Sequence, residues 1–141
     1  MALIDGRSWL EILPDDRCWE LLESAPVGRL AVSNAGRPDV FPINFAVLDR
    51  AIVFRTERGT KLDAVTTFGW VALEVDEVDI ERRAAWSVVV KGRATLMSAT
   101  EDIARAAARP LELWAPGTKT RWVQIDPTEV TGRRLRTGAD D

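Results

Sequence analysis

The spacing of turn signals between residues 28 and 56 constrains the fold more than any other feature. Three apolar runs, at residues 29–33, 39–48 and 51–56, are separated only by residues 34–38, which begin Asn34-Ala35-Gly36, and by Asp49-Arg50. Parallel neighbours need a crossover of a dozen or more residues, and there is no room for one. The three runs must form an antiparallel meander. Pro42, inside the second run, has no N–H for a ladder and implies an edge position or a bulge.

The rest of the chain continues the pattern. In residues 69–79, Val71, Leu73 and Val75 alternate with Ala72, Glu74 and Asp76, the period of a strand. Residues 84–98 predict a long fifth strand that Gly92 allows to bend. Residues 121–127 and 129–135 read as a sixth strand and a short terminal one. Short helices are expected over residues 13–25, where Cys18, Leu21 and Leu22 make an apolar stripe, within residues 59–68, and over residues 99–110, capped near Thr100 and stopped by Pro110. Six or seven antiparallel strands with small corner helices predict a closed or nearly closed β-barrel, and closure removes exposed edges. A chain of 141 residues suits one domain, with its core at about residues 15–135.

Composition narrows the function. The net charge of −3 argues against nucleic acid or an anionic membrane as the main partner. No apolar run approaches a membrane span, and the first ten residues lack a signal-peptide pattern. The single cysteine, Cys18, cannot form an internal disulfide, so the cytoplasm is the expected location. The chain has no histidine and no tyrosine. That removes the commonest general base and the commonest metal ligand, makes a zinc site untenable, and excludes Ser–His or Cys–His nucleophiles within one chain. No catalytic side chain and no metal ligand set is expected. Any redox chemistry must come from a cofactor.

One stretch suits an anionic ligand. Where the third strand ends, Arg55, Thr56, Arg58, Gly59, Thr60 and Lys61 follow one another. Arg55 and Lys61 supply charge for a phosphate, Thr56 and Thr60 supply hydroxyls, and Gly59 permits close backbone approach. The same residues also fit a solvated basic turn. Asn44, polar within an apolar strand beside Phe45, fits either a contact to a heterocycle edge or a core amide satisfied by backbone. Trp86 and Ser87 offer an indole face and a hydroxyl, or belong to the core. Trp114, on a loop with Pro116 and Gly117, suits a ligand cap, a subunit contact or a satellite cluster.

Taken together, residues 24–33, 36–45, 52–62, 86–94, 114–117 and 121–135 resemble the pyridoxamine 5′-phosphate oxidase-like family of FMN-binding split β-barrels, in particular its small actinobacterial branch. The resemblance runs from about residue 15 to residue 135 and implies an antiparallel six- to seven-stranded split β-barrel. It also implies a homodimer with flavin at the subunit interface. It places Arg55, Thr56 and Lys61 at the flavin phosphate, with Gly59 and Thr60 shaping the loop. Asn44 and Phe45 would lie along the ring, Trp86 and Ser87 would come from the facing strand, and Trp114 would reach over from the partner. True pyridoxamine 5′-phosphate oxidases are longer and use C-terminal Arg and His residues for the substrate phosphate. Without histidine, that activity is not expected here. The expected function is FMN-dependent oxidoreduction, with hydride transfer through flavin N5 to a small organic acceptor. The alternatives are a reductase using the deazaflavin F420, a flavin-storing module without a dedicated substrate, and a degenerate barrel without cofactor.

Overall fold

The computed structural model describes residues 3–5, 10–66, 68–109 and 121–135. In chain order the elements are β1 (Leu3–Asp5), β2 (Leu10–Ile12), α1 (Asp15–Ser24), β3 (Val27–Asn34), β4 (Arg37–Asn44), β5 (Ala46–Leu48), β6 (Ala51–Thr56), α2 (Lys61–Thr66), β7 (Phe68–Asp79), β8 (Ala84–Leu96), α3 (Thr100–Ala107) and β9 (Arg121–Leu135).

The expected meander is present, and its turns explain its tightness. β3 and β4 are joined through Ala35 and Gly36, both at positive φ (51° and 79°). β5 and β6 are joined through Asp49 and Arg50, also both at positive φ (50° and 55°). Two successive left-handed residues are the mark of a type I′ turn, whose twist matches that of the flanking strands.

Residues 39–48, expected as one strand, are two. β4 pairs with β3 up to Asn44, and after Phe45 the chain resumes as β5, which pairs with β6 instead. This switch makes the barrel. β3 pairs with β4 and β7, β7 with β8, β8 with β9, and β9 with β6. The circuit therefore closes through the covalent chain at Phe45, with no ladder between β4 and β6 among the described residues. This is a split antiparallel barrel.

Pro42 and Pro38 fit this arrangement. Alternate residues of an antiparallel strand exchange hydrogen bonds with the same neighbour. Residues 38, 40, 42 and 44 form one such set, and two of them are prolines. That set belongs on the edge facing away from β3, where no N–H is required. The Val40 N–H is met by its neighbour's Asp39 Oδ1 at 3.0 Å.

The two expected C-terminal strands are one, β9, of 15 residues. Pro127 does not end it, because Pro127 lies opposite Gly92 at a register shift between β8 and β9. A Cβ on Gly92 would stand 2.0 Å from the Asp126 carbonyl oxygen, so the close approach requires glycine. The first part of β9 pairs with β6 and its last residues pair with β2. β1 and β2 were not anticipated: each is three residues long, too short for periodicity to register. Thr100 is the first helical residue of α3 rather than its cap, and Ala99 at the N-cap offers no side-chain bond.

The barrel is filled by Leu30, Ile52, Phe54, Leu73, Val88, Val90 and Ile125, all fully buried, together with the stripe of α1 formed by Cys18, Leu21 and Leu22. α3 covers the outside of the wall, where Ala106 packs with Val53 and Trp122. Among the described residues no helix is long and apolar enough to cross a membrane.

Candidate binding site

The site begins where β6 leaves the barrel wall. Ile52 and Phe54 point into the core, while Val53 faces the α3 side with Trp122. By the two-residue period Arg55 lies on that outer side. It pairs across the ladder with Trp122, and its guanidinium carbon lies 5.2 Å from the indole centroid, within cation–π range. Arg55 Nε is buried and has no hydrogen-bond acceptor among the described residues. A buried N–H without a partner carries a desolvation cost of ~1–3 kcal/mol, so an acceptor supplied by a ligand would be well placed.

The next side chain points inward and is already engaged. Thr56 is 1% exposed, and its hydroxyl donates to Asp63 Oδ1 at 2.9 Å. Gly59, at φ +85°, donates its N–H to Asp63 Oδ2 at 3.1 Å. The Thr60 hydroxyl donates to the Glu57 carbonyl at 2.8 Å and accepts the Asp63 N–H at 3.2 Å. Arg121 Nε lies 3.1 Å from Asp63 Oδ1. The hydroxyls and the glycine of the basic stretch thus form an internal scaffold around one carboxylate.

Lys61 opens α2 and turns the other way. Its Nζ lies 2.8 Å from Asp39 Oδ2 and 5.9 Å from the Phe41 ring centroid. The Lys61 ammonium, hydrogen-bonded to Asp39, holds that carboxyl below its usual range. Arg55 leans toward β9 and Lys61 toward β4, and they share no partner among the described residues. Lys61 is largely exposed, so its charge can be redirected at little cost.

Asn44 stands at the switch from β4 to β5, and its Nδ2 donates to the Pro26 carbonyl at 3.2 Å. Phe45 is buried. It lines a cavity of about 530 Å³ together with Leu22, Pro26, Val47 and Arg109. Arg109 Nε donates to the Val47 carbonyl at 2.7 Å, which fixes the rim.

Trp86 and Ser87 lie at the opposite end of the barrel. Trp86 pairs with Arg134 on β9, whereas Arg55 pairs with Trp122. That separation is roughly 40 Å of strand contour at ~3.3 Å per residue. Trp86 packs against the core. Ser87, next along the strand, faces the other side of the sheet. Trp114 lies outside the described residues.

Among the described residues, Asp39 and Asp63, both acids of this corner, are engaged by cations. Cys18 is fully buried, and desolvation, aided by the charge of Asp15, raises its thiol pKa, so it is inert. Glu74, on the outer face of β7, is raised to about 7 by desolvation and by its neighbour Asp76, against the opposing pull of Arg29. No metal-binding cluster exists among the described residues. Arg55 and Lys61 give this corner the charge to accept an anion.

Three residues of the site escaped the sequence reading: Asp39, Asp63 and Trp122. For Asp63 a signal existed. Thr60-Lys61-Leu62-Asp63 has the spacing of a capping box, with a hydroxyl followed three residues later by an acid. Trp122 is brought in by its ladder with β6 and Asp39 by its ion pair with Lys61, and local pattern reveals neither.

Comparison with known proteins adds to this geometry. The sequence pattern of the pyridoxamine 5′-phosphate oxidase family matches residues 14–134. An uncharacterized protein of Mycobacterium tuberculosis is 35% identical over 128 residues, covering 87% of this chain and 84% of its own length. The solved structure of an FAD-binding protein from Mycobacterium smegmatis is 40% identical, with a TM-score of 0.80 over 89% of this chain and 99% of that one. An FAD-binding protein from Mesorhizobium loti is 25% identical, with a TM-score of 0.68 over 90% of this chain and 99% of that one.

Proposed function

The chain belongs to the pyridoxamine 5′-phosphate oxidase family, and on that premise we propose that it is a flavin-binding oxidoreductase whose flavin phosphate lies at the corner between β6 and α2. The observation that carries this reading is Arg55, a half-buried guanidinium stacked on Trp122 with its Nε lacking an acceptor among the described residues. A phosphate oxygen satisfies that need with a charge-assisted hydrogen bond. The outward edge of β4 supports the ring. Its alternate set of Pro38, Val40 and Pro42 leaves carbonyl oxygens unpaired by any described strand, which suits the N–H groups of a heterocycle.

In this reading Arg55 holds the phosphate, and Lys61 turns from Asp39 to join it. Gly59, Thr60 and Thr56 keep the loop in shape around Asp63, and Asn44 and Phe45 border the ring. When bound, the flavin supplies the two-electron redox chemistry that a chain without histidine or tyrosine lacks. FMN, FAD and F420 all present a phosphate next to a ribityl-type chain. FMN is the expectation from sequence, and the two FAD-binding relatives favour FAD as its rival.

A homodimer completes the proposal. Trp86, Ser87 and Trp114 are assigned to the flavin held by the second copy. Exposed apolar side chains at Val40, Trp70, Val78 and Ile80 are of the kind that a second copy covers. The acceptor is a small organic molecule other than pyridoxamine 5′-phosphate, met in the cytoplasm.

Purification from cells followed by a visible spectrum tests the reading. Yellow protein whose extracted chromophore has the mass of FMN or FAD supports it; colourless protein that takes up F420 alone moves the function to the deazaflavin. Failure to bind any of the three overturns it. Photoreduction followed by mixing with quinones and nitroaromatics then separates a reductase, reoxidised within turnover times, from a store that reacts slowly with every acceptor.

A further inference from the structure

We propose that Asp63 is the positioning residue of the phosphate corner: its buried carboxylate fixes the loop between β6 and α2, and through that loop the preference for a phosphorylated flavin over an unphosphorylated one. The inference rests on the flavin reading above. Asp63 is 7% exposed, and a buried carboxylate is costly unless its oxygens are paired and hydrogen-bonded.

Here they are paired, and with three separate segments. Oδ1 takes the Thr56 hydroxyl from the end of β6 at 2.9 Å and faces Arg121 Nε of β9 at 3.1 Å. Oδ2 takes the Gly59 N–H of the loop at 3.1 Å. The Asp63 N–H reaches the Thr60 hydroxyl at 3.2 Å. No other described residue ties the end of β6, the loop, α2 and the start of β9 to one another.

Charge alone argues against a carboxylate here, since an acid beside a proposed anion site repels the anion. Geometry reverses that expectation. Asp63 pairs with Arg121 and so leaves Arg55 as the guanidinium without a carboxylate partner among the described residues. It also holds Gly59 at φ +85°, which sets the course of the chain from Arg55 to Lys61. Asp63→Asn cannot reproduce this, because an amide offers one acceptor oxygen and would turn its NH2 toward a donor.

The test measures FMN and riboflavin affinity, by flavin fluorescence, for the full chain and its Asp63→Asn and Thr56→Val variants, with the thermal midpoint of each flavin-free protein. The expected result is FMN binding at least tenfold weaker in Asp63→Asn although a negative charge has been removed. Riboflavin binding should be unchanged within twofold. Tighter FMN binding, as charge alone demands, would overturn the proposal, and so would unchanged FMN binding or an equal loss of both ligands. If Asp63→Asn does not fold, Thr56→Val decides. It removes one donor to the carboxylate from a side chain that no ligand can reach, and it should weaken FMN three- to tenfold while sparing riboflavin; no change in FMN affinity would refute the role. A parent protein that binds neither FMN nor FAD sinks the flavin reading itself. A parent that binds FMN together with an Asp63→Asn variant that binds equally well sinks only the role of Asp63.

Discussion

Replacing Arg55 by methionine should move stability and ligand binding in opposite directions. In the flavin-free chain Arg55 Nε is buried without an acceptor among the described residues, an arrangement that costs ~1–3 kcal/mol. Methionine keeps an unbranched apolar stem against Trp122 and removes the orphaned donor. What is lost is the cation–π contact at 5.2 Å, worth ~0.5–1 kcal/mol. The balance favours the variant by about 1 kcal/mol, which for a domain of this size raises the thermal midpoint by about 3 °C. Flavin binding should suffer far more. A bidentate guanidinium–phosphate contact comprises two charge-assisted bonds of ~1.5–3 kcal/mol each, so the loss is at least ~3 kcal/mol, or more than a hundredfold in Kd. Differential scanning fluorimetry on stripped protein reads the first effect, and titration with FMN and FAD reads the second. Arg55→Lys, which keeps charge without the planar fork, should fall between. A variant that melts several degrees lower while binding flavin as well as its parent would show that Arg55 is a structural side chain, and the phosphate assignment would be wrong.

Three further outcomes follow from the packing and the titratable groups. Gly92→Ala forces a Cβ against the Asp126 carbonyl and must open the β8–β9 ladder; a loss of ~3 kcal/mol or more is expected in urea unfolding. Glu74 titrates at about 7 in the folded chain and near 4.5 when unfolded, so the folded state holds its proton more tightly. Its stabilising contribution is therefore full below pH 4.5 and declines as the pH rises to about 7. The side chain is 37% exposed, so after solvent screening the change amounts to about 1 kcal/mol, and Glu74→Gln should flatten the stability profile between those limits. Cys18, fully buried with its thiol pKa raised, should react with a thiol reagent only as fast as the protein unfolds, and prompt labelling of native protein would contradict its place in the core.

The parts of this fold that could be read in advance are those decided by neighbours in sequence. Both hairpins of the meander declare themselves because two left-handed residues lie between alternating runs, at Ala35-Gly36 and Asp49-Arg50. The break at Phe45 does not, because it depends on which strands lie alongside. Residues 39–44 face β3 and residues 46–48 face β6, and no local pattern records a change of neighbour. β9 misled for the same reason. Pro127 reads as a terminator, yet across the ladder stands the one residue without a side chain, Gly92. At the site, the cations at positions 55 and 61 were visible as charge at a strand exit, but their directions were not. Lys61 goes to Asp39 and Arg55 to Trp122, choices made by β4 and β9. The hydroxyls of Thr56 and Thr60 looked available for a ligand; the structure turns them onto Asp63 and Glu57.

The prolines at positions 38 and 42 carry a consequence beyond the barrel. An unpaired strand edge ordinarily invites a strand from another molecule, which is how many β-proteins polymerise. Adding such a strand requires donors as well as acceptors, and this edge has been stripped of donors at two of its positions, with a third, Val40, occupied by Asp39. On the proposed reading, the edge can therefore stay open until a flavin binds. It remains available to a small molecule bearing N–H groups and closed to fibre growth.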